Sequence, residues 1–233
     1  MDKSSCKINF IAFVALAILF GSIIKSFSIS PPFDYSDKRI DELVGLLNDT
    51  NIEKRECATY FLGVRYMNPY RPDLLNRPVL KHGSPKPEFP IPTEVIPKLA
   101  ALLAQDSSVG VRLSALGALE NIRYQTNTSP IIVAALTNTF TLVRMHAAES
   151  LNRISKQYSE PLPSQVVPTL IDCLNSSEDP EEIWQAALTV GNMGVSAKDA
   201  IPALEKLKTH PSKKVRQYAE EALKRINAPL QKP

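Results

Sequence analysis

Five stretches of the chain carry apolar residues at i, i+4, i+7 or i+8 and i+11, the spacing that lines one face of an α-helix. They read KRECATYFLGV from Lys54, VRLSALGALENI from Val111, VRMHAAESLNRI from Val143, IWQAALTVGNM from Ile183 and VRQYAEEALKRI from Val215. Placing Arg55, Arg112, Arg144, Trp184 and Arg216 in one column brings Ala58, Ala115, Ala147, Ala187 and Ala219 together three residues later. Leu62, Leu119, Leu151, Gly191 and Leu223 follow after four more.

A second helix precedes each of these. Pro97, Pro130, Pro168 and Pro202 mark its first turn, where a missing N–H costs nothing, and Asp41 stands there in the first pair. Leu43, Leu99, Ile132, Leu170 and Leu204 come two residues on, and Leu46, Leu102, Ala135, Cys173 and Leu207 five on. The intervals from first-turn marker to Arg column are 14, 15, 14, 16 and 14 residues, room for two short helices and a tight turn. No helix of such a pair can bury its apolar stripe alone, so the pairs stack into a continuous core.

This pattern resembles HEAT repeats, especially the bacterial type related to phycobilisome-lyase repeats. VRLSALGALENI, VRMHAAESLNRI and VRQYAEEALKRI carry the likeness, with EVIPKLAALL and AIPALEKL for the preceding helices. It spans roughly residues 36 to 228 and implies an all-α fold, a right-handed α-solenoid of about five helix pairs. It also implies that the column Arg pairs with an acidic residue in the turn between helices. Asp49 and Asp106 stand six residues before Arg55 and Arg112, but Asn138, Glu178 and His210 hold that place elsewhere. Trp184 in place of Arg reads as a packing substitution.

The resemblance further implies that the second helices line the inner curve of the solenoid. Their outward columns run Cys57, Ser114, His146, Ala186 and Tyr218, then Tyr60, Gly117, Glu149, Thr189 and Glu221, then Val64, Asn121, Arg153, Met193 and Arg225. Mixed charge with aromatic anchors suits a protein or peptide partner, so His146, Glu149, Arg153, Tyr218, Glu221 and Arg225 are the candidate partner-binding residues. By the same register Cys173 is expected buried and Cys57 partly accessible.

Two segments stand outside the repeat. Residues 68–93, NPYRPDLLNRPVLKHGSPKPEFPIPT, hold seven prolines and forbid a long helix, with a short helical turn allowed at Asp73 to Asn76. This insertion reads as a loop packed over the repeats or as a partner-binding loop. Ile8 to Ile24 is an uncharged run of 17 residues between Lys7 and Lys25, near the lower limit of about 17 for a spanning helix. It predicts an N-terminal apolar helix, with residues 1–30 as a signal anchor or signal peptide ahead of a solenoid over 31–233. Lys3 and Lys7 place the N-terminus in the cytoplasm and the body outside, in the periplasm or at the cell surface. Cleavage near Ser28 with secretion is the alternative.

Charge and composition narrow the function. The formal net charge is +3, and the leader supplies +2 of it (Lys3, Lys7 and Lys25 against Asp2), leaving +1 on the body. That gives no electrostatic case for nucleic acid. Cys6, Cys57 and Cys173 form no paired motif, and His82, His146 and His210 lack metal-ligand spacing. The residues after those histidines are Gly83, Ala147 and Pro211, so the His-Glu dyads of iron-binding HEAT-like enzymes are missing. No phosphate loop, GxSxG or HExxH occurs. The expectation is a non-catalytic scaffold with no cofactor or metal, membrane-anchored or exported, that binds a protein partner. The alternative from the resemblance is a bilin lyase or chaperone acting on a chromophore-carrying client. Sequons at Asn48, Asn127 and Asn175 matter only where the source glycosylates exported proteins.

Overall fold

The computed structural model describes residues 35, 38–65, 91–123 and 126–228. The apolar run at 8–24, and all of the insertion but its last three residues, lie outside them. The described residues form ten α-helices and no strand. These are α1 Ile40–Leu46, α2 Ile52–Arg65, α3 Val95–Gln105, α4 Val109–Ile122, α5 Ser129–Ala134, α6 Thr141–Tyr158, α7 Val166–Ser176, α8 Pro180–Met193, α9 Ile201–Leu207 and α10 Lys213–Asn227. Short 3-10 segments, Ala135–Thr137 and Gly194–Ala200, continue α5 and lead into α9. Gly194, at φ +62°, turns the chain out of α8 in a conformation a side chain would resist.

The helices pair as their periodicity predicts. Pro97, Pro130, Pro168 and Pro202 each fall in the first turn of α3, α5, α7 or α9. The chain divides into two compact units, Met1–Ser129 and Pro130–Pro233. In the first, α2 packs on α1 and along α4, and α3 on α4. In the second, α8 packs along α10 while α7 bridges α6 and α8. Leu43, Leu62, Leu99 and Leu119 form the core of one unit, and Ile132, Ala147, Leu170, Val190, Leu204 and Val215 that of the other, all at most 2% exposed.

The turns between paired helices share one hydrogen-bonding device. The residue at its start accepts the backbone N–H two positions on: Asp49 from Asn51 at 2.8 Å, Asp106 from Ser108 at 2.8 Å, Asn138 from Phe140 at 3.2 Å and His210 from Ser212 at 3.1 Å. The backbone carbonyl of that same residue accepts from the column Arg six positions later. Arg55 reaches Asp49 O at 2.8 Å, Arg112 reaches Asp106 O at 2.6 Å, Arg144 reaches Asn138 O at 3.0 Å and Arg216 reaches His210 O at 2.6 Å. Arg therefore recognises backbone in its own turn, so the turn residue need only be an acceptor. Asp, Asn and His all satisfy that, which is why the acidic ladder looked broken in the sequence.

The fourth pair departs from the sequence register by one residue. In four pairs the carbonyl at the helix start (Asn51, Ser108, Phe140 or Ser212) accepts from the column Arg itself. In α8 the equivalent bond runs from Ile183 N to Asp179 O. Ser177, six before Ile183, accepts from Asp179 N at 3.2 Å in the manner of the other turns. Ile183 thus takes the Arg column, and Trp184 is equivalent by register to Glu56, Leu113 and Met145. The outward columns then contain Gln185, Leu188 and Asn192 in place of Ala186, Thr189 and Met193.

One burial expectation fails. Cys173 is buried at 1% exposure as predicted, but Cys57 is 0% exposed instead of partly accessible. Its column lies over the seam where adjacent second helices pack, as α2 does along α4. Ser114 at 4% and His146 at 0% share that burial.

Candidate functional site

The structure separates the six candidate residues into two groups. His146 and Glu149 on α6 are buried, Arg153 is half-buried, and Tyr218 on α10 is half-buried beside exposed Glu221 and Arg225. The α6 group forms a polar line along one helix face. His146 Nδ1 lies 3.5 Å from a Glu149 carboxylate oxygen, whose partner oxygen is 2.9 Å from Arg153, and Arg153 donates to Ser150 Oγ at 3.2 Å. With His146 wholly buried, this face is no open reading surface.

The α10 group is open. Tyr218, Glu221, Ala222 and Arg225 line, with Leu188 and Gly191 of α8, a surface groove too shallow to enclose a water molecule. The helices approach closely there: a Cβ on Gly191 would meet Ala222 Cα at 3.0 Å and Arg225 Cδ at 3.6 Å. Small residues let the backbones meet and leave a shallow apolar floor. At one end the Arg225 guanidinium donates to Asn192 Oδ1 and to the Glu221 carboxylate. Lys156 donates to the Asn192 carbonyl at 2.7 Å.

At the other end the Tyr218 ring packs on Trp184 with centroids 4.8 Å apart and planes tilted by 35°. The Lys214 ammonium sits 3.9 Å from the indole centroid, within range of a cation–π interaction. The indole N–H donates to Glu181 at 2.8 Å, and the same carboxylate is 3.2 Å from Lys214. Trp184 is only 9% exposed, so it acts as a packed base for Tyr218 and Lys214, in keeping with its reading as a packing residue.

Sequence reasoning nominated Tyr218, Glu221 and Arg225 and missed Lys214, Glu181, Leu188 and Asn192. The last two were hidden by the one-residue register shift in α8. Glu181 and Trp184, three apart, were legible as neighbours on one helix face. In the N-terminal unit, Asn121 shares the column of Asn192 and Arg225 and donates to the Gly63 carbonyl at 3.3 Å.

The arrangement offers aromatic, apolar and paired charged groups, the chemistry of a recognition surface. Among the described residues no group of three or more His, Cys, Asp or Glu could hold a metal ion, and no helix is long and apolar enough to cross a membrane. His82, in the insertion, lies outside them.

Paired helices, Arg-to-turn bonds and second helices packed side by side define an armadillo/HEAT-like helical-repeat fold. Among solved structures, the chain matches a designed armadillo repeat protein at 20% identity and a TM-score of 0.50, covering 93% of each chain. It also matches the complex of CpcE and CpcF of phycocyanin lyase from Nostoc sp. PCC7120 at 17% identity and a TM-score of 0.47, over 87% of this chain and 69% of that one. Human deoxyhypusine hydroxylase in complex with glycerol matches at 20% identity and 0.43, over 93% and 80%. The first establishes the repeat fold and nothing more specific. No protein-family model and no curated protein matches the sequence.

Proposed function

We propose that this chain is a non-catalytic interaction scaffold that binds another protein or peptide through the α8–α10 groove. The observation that carries the reading is the gathering of Tyr218, Glu221 and Arg225 on an open face over an apolar floor. Tyr218 is already packed on Trp184 and Arg225 is already held by Asn192 and Glu221, so little side-chain freedom is lost on binding. A helical-repeat fold suits a partner-binding role, because stacked helices present long continuous faces.

The test is affinity capture with the full-length protein in detergent beside a Tyr218→Ala/Arg225→Glu variant of unchanged circular dichroism. A specific protein retained by the first and lost by about tenfold or more from the second supports the groove, since anchor residues each carry about 1 kcal/mol or more. Equal retention by both would remove this face from consideration.

We further propose that residues 8–24 anchor the protein in a membrane with the repeat body exported. The support is the uncharged apolar run between Lys7 and Lys25 and the cationic N-terminal flank. Full-length protein should resist carbonate extraction from membranes. Soluble protein beginning at Ile29 would instead establish cleavage and release.

A further inference from the structure

The α2–α4 seam of the N-terminal unit holds a carboxyl group where charge is poorly accommodated. Glu56 is 6% exposed, and its Oε1 has no hydrogen-bond partner. Its carboxyl lies over Gly110, the second residue of α4, where a Cβ would come within 2.7 Å of both carboxylate oxygens. A side chain at that position would displace the carboxyl from its resting place.

The side-chain charges that act on it do not help. Glu53 on its own helix and Asp106 in the turn before α4 both act on Glu56 as like charges. Asp106 is itself engaged by Arg55 through two hydrogen bonds. The ionisable residues of α4 are Arg112, whose Nε donates to Asp106 O, and Glu120. Those of α1, packed on the other side of α2, are Asp41 and Glu42, both exposed and bonded to Arg39. Burial first, then Glu53 and Asp106, push the Glu56 carboxyl up from 4.5 to about 7.

We infer that Glu56 is a proton-operated latch on the α2–α4 seam: protonated, it rests against Gly110 and the seam closes; ionised, it seeks water and α2 loosens from α4. In the closed seam the group holds its proton up to about pH 7, whereas in a loosened α2 it would titrate near 4.5. The closed form is therefore fully favoured below about pH 4.5, loses ground as pH rises towards 7, and loses no more above that. The chain would sense the acid-to-neutral transition through the packing of its first helix pair, away from the groove on α8 and α10.

Cys57, the next residue on α2 and 0% exposed, reports the opening. Full-length protein and Glu56→Gln are labelled with a methanethiosulfonate reagent from about pH 5 to about pH 8, and labelling is mapped by peptide mass spectrometry. The rate ratio of wild type to variant at Cys57 cancels the reagent's own pH dependence. It should be near one at the acid end and rise by about tenfold or more before levelling near neutrality. A ratio constant within about twofold across the range overturns the latch. Should Glu56→Gln fail to fold, wild-type Cys57 is compared with buried Cys173, each normalised to its denatured rate. That ratio must show the same rise, and a flat one overturns the inference equally.

Discussion

Arg55 and Asp106 lie 51 residues apart in the chain and 2.8 Å apart in space. Two parallel hydrogen bonds join them, Nε to Oδ2 and Nη2 to Oδ1, with side chains only 13% and 5% exposed. The same guanidinium donates to Asp49 O in its own turn, so one side chain ties the first turn to the second. Planar, five-donor Arg can do this and Lys cannot.

Asp106 should consequently be among the costlier polar positions. Asp106→Ala removes both Arg55 bonds and the acceptor for Ser108 N, leaving a mostly buried cation unpaired, a loss of about 3 to 5 kcal/mol. Asp172→Ala removes the corresponding partner of Arg144, but that carboxylate is 61% exposed and the loss should stay below about 1 kcal/mol. Urea denaturation of both variants checks the ranking, and equal losses would contradict it.

Gly63 and Gly191 should resist replacement by alanine. In each case the new Cβ meets a backbone Cα at 3.0 Å, that of Ala118 or Ala222. Helix propensity favours alanine by about 1 kcal/mol, but overpacking a rigid seam costs about 1 to 3 kcal/mol and should prevail. Pairing Gly63→Ala with Ala118→Gly should recover part of the loss. Chemical denaturation of the single and double variants decides it.

Glu56 should make the protein more stable in mild acid than at neutrality. Its carboxyl is raised from 4.5 to about 7, so the native state binds the extra proton and stability falls as pH rises between those values. The full swing is at most about 3 kcal/mol. Asp41, Glu42 and Asp49 are shifted down and act in the opposite direction as pH falls, so the comparison must be with Glu56→Gln. The melting temperature of wild type minus variant should decline from about pH 5 to pH 7 and then level. No decline would show that Glu56 is ionised in the fold.

Trp184 is the chain's single tryptophan and reports directly on the groove. Lys214→Ala removes the cation 3.9 Å from its ring centroid, and Tyr218→Ala removes the stacked phenol. Both should change the intensity or wavelength of emission while costing about 1 kcal/mol or less, since Lys214 is exposed and Tyr218 half-buried. Unchanged emission in both variants would mean that these contacts do not persist in solution.

Much of this architecture was legible in the sequence. The helical period and the first-turn prolines located every described pair, because burying an amphipathic stripe forces the repeat of 3.6 residues. The register slip in α8 was less visible, since Ile183 and Trp184 are both apolar and Ala186 and Ala187 both small. The interval of 16 residues from Pro168 to Trp184 was the hint; measured to Ile183 it becomes 15. The site was half-legible. Tyr218, Glu221 and Arg225 emerged from periodicity, but the burial of His146, Glu149 and Cys57 did not. Which side of a helix faces its neighbour depends on crossing geometry that a single stripe does not encode.

The two glycine contacts bear on how such a chain can grow. Gly63 and Gly191 each supply the hollow of a joint, and Ala118 and Ala222 the matching knob. A tandem duplication of the second or fifth helix pair would set Glu120 or Lys224, which stand in the column of Gly63, against the copied Ala118 or Ala222 at the new junction. Copying the first or fourth would bring Phe61 or Thr189, bulkier than alanine, against the glycine. Lengthening by simple recombination is thus penalised at these joints, and the repeats, though alike in sequence, have become tailored parts with fixed places in their order.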